Sequence, residues 1–270
     1  ASLDKAMVAL MLALPGEAYL SEVADVVEVE AIHQVRQFVR LTLGEALAQE
    51  LTRVYQDNTI ADVYQATGAQ IAQRSLRNIT LAYLMQAGSD AALELARTQF
   101  ASAHNMTDAS AALTALVNSP LAVMRGDTST ALNAFYQQWR HEPLVVNLWL
   151  QIQAWCPLPN GLDRVQALMK HPSFDIKNPN KVRSVIGAFC AGNAVNFHRA
   201  DGAGYVFLAD RIIELDALNP QVASRLVTPF TRWRKYPQGR SDLMQAQLDR
   251  LRAEPALSKD VYEIVAKSLD

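Results

Sequence analysis

Apolar helical segments recur along this chain at intervals of about 33 to 41 residues, starting near residues 74, 107, 145, 180 and 221. They read "RSLRNITLAYL", "TDASAALTALV", "VVNLWLQIQAW", "NKVRSVIGAFC" and "QVASRLVTPF". Second helical segments lie between them: "DAALELARTQF", "DTSTALNAFYQQW", "LDRVQALMKH" and "YVFLADRIIELDAL". One helix pair of this size cannot bury its own apolar face, so pairs at a fixed period stack on one another. The spacing predicts an all-α fold of HEAT- or TPR-like helix pairs, with an irregular helical bundle as the competing arrangement. No segment alternates polar and apolar residues as a strand would.

Individual segments carry the helical period. Val182, Val185, Ile186 and Phe189 fall at i, i+3, i+4 and i+7, which predicts one buried stripe over 181–190. Tyr205, Leu208, Ala209, Ile212 and Leu215 repeat the pattern, with Asp210, Arg211 and Glu214 opposite. Over 220–234 an apolar stripe of Val222, Leu226, Phe230 and Trp233 faces away from a polar one of Gln221, Arg225, Thr228 and Arg232. Pro229 removes the N–H that would bond the Arg225 carbonyl, so a kink or bent end is expected there. Asn178-Pro179 and Asn219-Pro220 each place a capping side chain before a proline at the first helical position. In "RGD" (125–127), Asp127 reads as a helix cap.

Half the residues are hydrophobic and the formal charge is -2. Such a balance argues against a nucleic-acid partner, which requires a basic surface. No apolar run is long enough to span a bilayer, so no membrane partner is expected. Cys156 and Cys190 both sit in apolar strings, which suits free thiols in a reducing, cytoplasmic compartment; a bridge or ligand pair is the alternative. The opening "ASLDKAMVALMLALPGEA" has the pattern of a signal peptide but reads better as a helix capped by Ser2 and ending at Pro15-Gly16. Ala1, with no Met before it, reads as a cut within a longer protein.

A self-contained catalytic set does not emerge. The nearest approach to H-E-x-x-H is "HEPLV" at 141–145, which has Val145 in the fifth place and Pro143 inside the motif. The five histidines, His33, His104, His141, His171 and His198, show no ligand spacing. G-x-S-x-G, the P-loop and G-x-G-x-x-G are absent. A Cys190–His198 nucleophile and base would lack any mark of an oxyanion hole. What "NPNKVRSVIGAF" does offer is Arg183, about 100° from Val182 and off the buried stripe, with open space beside it at Gly187. Arginines on these helix faces, Arg183, Arg225 and Arg232, suggest recognition of a carboxylate, against the plainer reading of solvated helix surface.

The strings "NPNKVRSVIGAF", "NFHRADGAGYVFLAD", "LNPQVASRLVTPF" and "LSKDVYEIVAKSLD" resemble the C-terminal part of the bacterial aminopeptidase N family. So do "AIHQVRQFV", "IAQRSLRN" and "QFASAHNMTDASAAL", and the resemblance runs from about residue 7 to the end. It implies that residues 1–270 are a single C-terminal domain, a right-handed α–α superhelix of helix pairs. The family's members are broad-specificity zinc aminopeptidases of alanyl type that remove N-terminal residues from peptides. Their H-E-x-x-H zinc site lies in an upstream catalytic domain of the same polypeptide, so no cofactor is expected in this chain and it should be inactive alone. The resemblance further implies that the domain caps the active-site cavity. The positions matching the family's primed-side substrate contacts are Arg183, Gln221 and Arg225, while His198, Arg199 and Asp201 are expected to order a loop. The rival expectation is a free-standing helical scaffold that binds a protein or peptide on its concave face.

Overall fold

The computed structural model describes residues 3–60 and 63–270. Every regular element among the described residues is helical, and the backbone falls into two compact units. The first comprises residues 1–16 and 34–139, the second residues 17–33 and 140–270.

The chain opens with α1 (Lys5–Leu12), α2 (Glu17–Val23), α3 (Val29–Ala46) and α4 (Ala48–Asp57). Then come α5 (Gly68–Ala87), α6 (Asp90–Ser102), α7 (Met106–Val117), α8 (Pro120–Met124) and α9 (Asp127–Trp139). In the first unit α5 is the central helix, packing against α1, α4, α6 and α7, while α9 packs against α7 and α8. Its burial follows from its apolar residues at helical spacing: Ala72, Leu76, Leu81, Leu84 and Met85 all lie inside. Gly88 ends α5 in the left-handed region at φ 73°, where a side chain would be strained.

The second unit contains α10 (Pro143–Ala154), α11 (Gly161–Met169), α12 (Pro179–Val182), α13 (Ala188–Gly192) and α14 (Ala194–Phe197). It continues through α15 (Ala203–Asp216), α16 (Pro220–Leu226), α17 (Gln238–Arg252) and α18 (Lys259–Leu269). Here α15 packs on α16 and α17, and α18 on α16 and α17. Gly204 permits close contact between α14 and α15, because a Cβ there would run into the Phe197 carbonyl.

Helix boundaries follow local chemistry. Thr67, Ser89, Asn105, Ser119, Asn178, Asn219 and Ser258 each accept a hydrogen bond from a first-turn backbone N–H of the helix they open. Four expectations need correction. The first helix is capped by Asp4, whose carboxylate accepts from the Met7 N–H at 2.9 Å, and it ends at Leu12; Ser2 lies outside the described residues. Asp127 is the first residue of α9 and not its cap; its carboxylate is drawn to Arg97 at 2.6 Å. The 181–190 stripe is interrupted by a π turn at Arg183–Gly187, although Val182, Val185, Ile186 and Phe189 are all fully buried. The 220–234 segment is not one helix: α16 ends at Leu226 and two 3-10 turns follow, Thr228–Phe230 and Trp233–Lys235, although the bent end expected at Pro229 is present.

Candidate functional site

Asn178 accepts from the N–H groups of Asn180 and Lys181, and Pro179 sets the first helical φ, so α12 starts at a defined point. Five residues later the chain enters the π turn, whose extra residue widens the helix. Between 181 and 190 only Arg183 is exposed. The segment is buried on nearly every side, Lys181 included, and Arg183 sits at its one opening. Its Nη1 donates to Asn180 Oδ1 at 3.0 Å, which holds the guanidinium near the helix start. A Cβ added at Gly187 would come no nearer than 3.9 Å to Arg183 or to the Val182 carbonyl, so the space beside Arg183 is open.

Asn219 accepts from the Val222 N–H at 3.2 Å and starts α16. Gln221 and Arg225 stand one turn apart on its exposed face, above buried Val222, Ala223 and Leu226. Among the described residues neither side chain has a hydrogen bond or ion pair. In the same unit Arg199, Arg211, Arg232, Arg240, Arg250 and Arg252 each pair with a carboxylate. Arg183 and Arg225 do not; Arg164 and Arg234 also lack a carboxylate but donate to backbone carbonyls, and an uncompensated guanidinium is free to take an incoming carboxylate in a two-pronged contact. The structure thus joins Gln221 and Arg225 on one helix face. It places Arg183 on a separate element, and no hydrogen bond or ion pair connects it to the other two. Arg232, the end of the predicted polar stripe, is drawn to Glu22 at 3.4 Å.

Of the loop residues, His198 sits in a buried cluster, while Arg199 and Asp201 are exposed. His198 is 5% exposed; its Nδ1 lies 3.0 Å from the Tyr205 hydroxyl and its Nε2 3.1 Å from the Tyr236 hydroxyl. The ring stacks on Tyr236 at 4.4 Å, and Arg240 Nε donates to the His198 carbonyl at 2.7 Å. Burial, reinforced by the Arg240 charge, holds the imidazole down to a pKa of about 3. The unfolded chain therefore takes up a proton near pH 6.5 that the folded chain refuses until about pH 3. This contribution is present in full above pH 6.5 and is lost as the pH falls toward 3. Stability should fall by about 1.4 kcal/mol per pH unit from this group alone across that window. Urea midpoints measured from pH 7 to pH 4 test it, and His198→Gln should flatten the slope by about one proton; an unchanged slope refutes the assignment.

Arg199 pairs with Asp201 at 2.5 Å, and Asp201 Oδ1 accepts from the Ala203 N–H at 3.1 Å, which fixes the entry to α15. The Ala203 bond first, then Arg199, holds the Asp201 carboxyl below its usual range. Cys190 is 3% exposed, and burial pushes its thiol well above its ordinary pKa. With both His198 nitrogens engaged by tyrosines, a cysteine–histidine dyad is not formed. Cys156 is also buried and forms no disulfide. No three His, Cys, Asp or Glu side chains converge as a metal-holding set among the described residues, so these residues do not fit a zinc ion.

Sequence reasoning missed a groove of about 1050 Å³ in the second unit, between α11, the loop at 170–176 and α15. Met169, Phe174, Val206 and Phe207 supply its apolar wall, and Lys170, Asp175, Asp210, Arg211 and Glu214 its charge. The only signal was Val206, an apolar residue off the buried stripe of α15. None of Arg183, Gln221 and Arg225 lines this groove.

Comparison with known proteins gives a match over residues 1–270 to a family described as a domain of unknown function (DUF3458_C) with ARM repeats. Aminopeptidase N of Escherichia coli K12 is 38% identical over 267 residues, which is 99% of this chain and 30% of that protein. Aminopeptidase N of Caulobacter vibrioides is 38% identical over 269 residues, 98% of this chain and 30% of that protein. The crystal structure of Legionella pneumophila aminopeptidase A in complex with aspartic acid superposes with a TM-score of 0.89 at 31% identity, covering 99% of this chain and 32% of that one. The chain thus spans about 30% of the length of the curated relatives it matches.

Proposed function

Since this chain belongs to the ARM-repeat domain family DUF3458_C, we propose that it is the non-catalytic C-terminal domain of a longer, broad-specificity zinc aminopeptidase. The observation that carries the reading is the alignment of 99% of the chain with 30% of an aminopeptidase N at 38% identity. Residues 1–270 act as one domain that caps the cavity in which peptides are cleaved. The zinc ligands come from the upstream catalytic domain of the same polypeptide, and the setting is cytoplasmic, in keeping with two cysteines that form no disulfide.

Within that cavity Arg183, Gln221 and Arg225 hold the distal, primed-side end of the peptide. The absence of a carboxylate partner at Arg183 and Arg225 supports this role. A guanidinium without a counter-ion gains more from a peptide carboxylate than one already neutralised, and enclosure away from bulk water strengthens the attraction. These residues supply binding and orientation, with no part in proton transfer.

Two measurements test the reading. The 270-residue chain alone, with or without zinc, should not hydrolyse an alanyl chromogenic amide; hydrolysis by it alone would sink the proposal. In the longer polypeptide, Arg225→Ala should lower kcat/KM for a tetrapeptide by about 10- to 100-fold, the loss of one charge-assisted hydrogen bond of about 1.5–3 kcal/mol. The alanyl amide, which has no distal end to hold, should be cleaved at an unchanged rate. Equal losses on both substrates would show that Arg225 acts on the fold and not on the peptide.

A further inference from the structure

Of the 21 large apolar side chains that stand exposed among the described residues, 14 fall between Leu3 and Ile71. Those residues are about a quarter of the chain, so the exposure is concentrated and not the scatter of an ordinary surface. Two elements of the first unit carry most of it. Helix α1, "KAMVALML", is apolar all round after Lys5. A helix of that composition belongs in the interior of a protein. It buries Ala9 and leaves Met7 57%, Leu10 70% and Met11 75% exposed. On α3, Val35 is 61% and Phe38 68% exposed, while within residues 34–46 of that helix only Gly44 is buried. Arg36 Nε donates to the Pro15 carbonyl at 2.6 Å, which sets the exposed face of α3 beside the end of α1.

We propose that α1 and the outward face of α3 are the surface on which the remainder of the longer polypeptide docks. The inference rests on the reading above, that this chain is one domain of such a polypeptide. The length outside the chain argues for this occupant, since about 70% of each matched relative lies beyond the aligned part. A tethered partner also has an effective concentration in the millimolar range, which favours it over a second copy.

Met7 and Met11 make the surface measurable. Both should be oxidised readily by dilute peroxide in the 270-residue chain, with buried Met244 as the slow reference and N-acetylmethionine as an internal clock. In the longer polypeptide their sulfoxide formation, followed by peptide mass spectrometry, should slow by tenfold or more. Phe38→Glu in that polypeptide should restore most of the rate. Three results overturn the proposal: unchanged rates in the longer polypeptide, slowing in the short chain that grows with its concentration (a second copy), or slowing only with added phosphatidylserine vesicles. Hydrolysis of the alanyl amide is measured on the same samples. Activity without methionine protection removes the docking surface alone, while protection without activity removes the peptidase reading and leaves the surface standing.

Discussion

Asp108→Ala should lower the stability of the first unit by about 3–5 kcal/mol, because it strands a charge inside the protein. Asp108 is 3% exposed on α7 and Arg77 8% exposed on α5. The carboxylate accepts from Asn78 and Asn105, each at 3.0 Å, and faces Arg77 Nη1 at 3.5 Å. Arg77 Nη2 in turn donates to the Tyr55 hydroxyl at 3.0 Å, and the guanidinium lies 4.8 Å from the centre of the Tyr55 ring. Tyr55 donates to Gln99 Oε1 at 3.0 Å, so one network ties α4, α5, α6 and α7. Removing the carboxylate leaves the guanidinium desolvated and uncompensated. Arg77→Met combined with Asp108→Ala should regain much of the loss, since an apolar pair of similar size carries no desolvation cost. Urea denaturation followed by far-UV circular dichroism measures both. A double variant no more stable than Asp108→Ala would show that packing, and not the buried charge, is at stake.

Phe189→Ala should cost the second unit a comparable amount, about 3–5 kcal/mol. Phe189 is fully buried on α13, edge-on to Phe197 at 5.9 Å and to Phe207 at 6.0 Å. Truncation removes buried apolar area and leaves a cavity where α13, the single turn of α14 and α15 meet. Phe189→Leu, which keeps most of the volume, should cost less than half as much. Fluorescence of Trp149 and Trp233, both buried in this unit, reports the transition. Equal midpoints for the Ala and Leu variants would mean that the aromatic cluster does not carry the packing.

Much of the local structure was legible because it is set by residues close in sequence. The predicted segment 127–139 is α9 residue for residue, and the two Asn-Pro starts are α12 and α16. The stripe of Tyr205, Leu208, Ala209, Ile212 and Leu215 is the buried face of α15. The helix-pair class and the resemblance to aminopeptidase N are borne out by the all-helical architecture and by the matches across the whole chain. Periodicity and capping act within one or two turns, and long specific strings survive in relatives; both are properties a single sequence displays.

The remainder depends on neighbours far along the chain. Periodicity alone reads 181–190 as an ordinary helix, and the π turn that leaves Arg183 at its one opening is favoured only once α10 and α11 pack around it. His198 reads from the sequence as a loop-ordering residue, but only the fold shows that Tyr205, Tyr236 and Arg240, up to 42 residues away, close over it and hold it neutral. Arg225 is placed on a polar stripe by spacing, and only the folded chain shows it exposed on α16 without an ion pair among the described residues. Helical faces and caps follow from local spacing and backbone chemistry, whereas burial, charge pairing and exposed apolar surface are sums over every element that packs nearby, and only the folded chain carries out that sum.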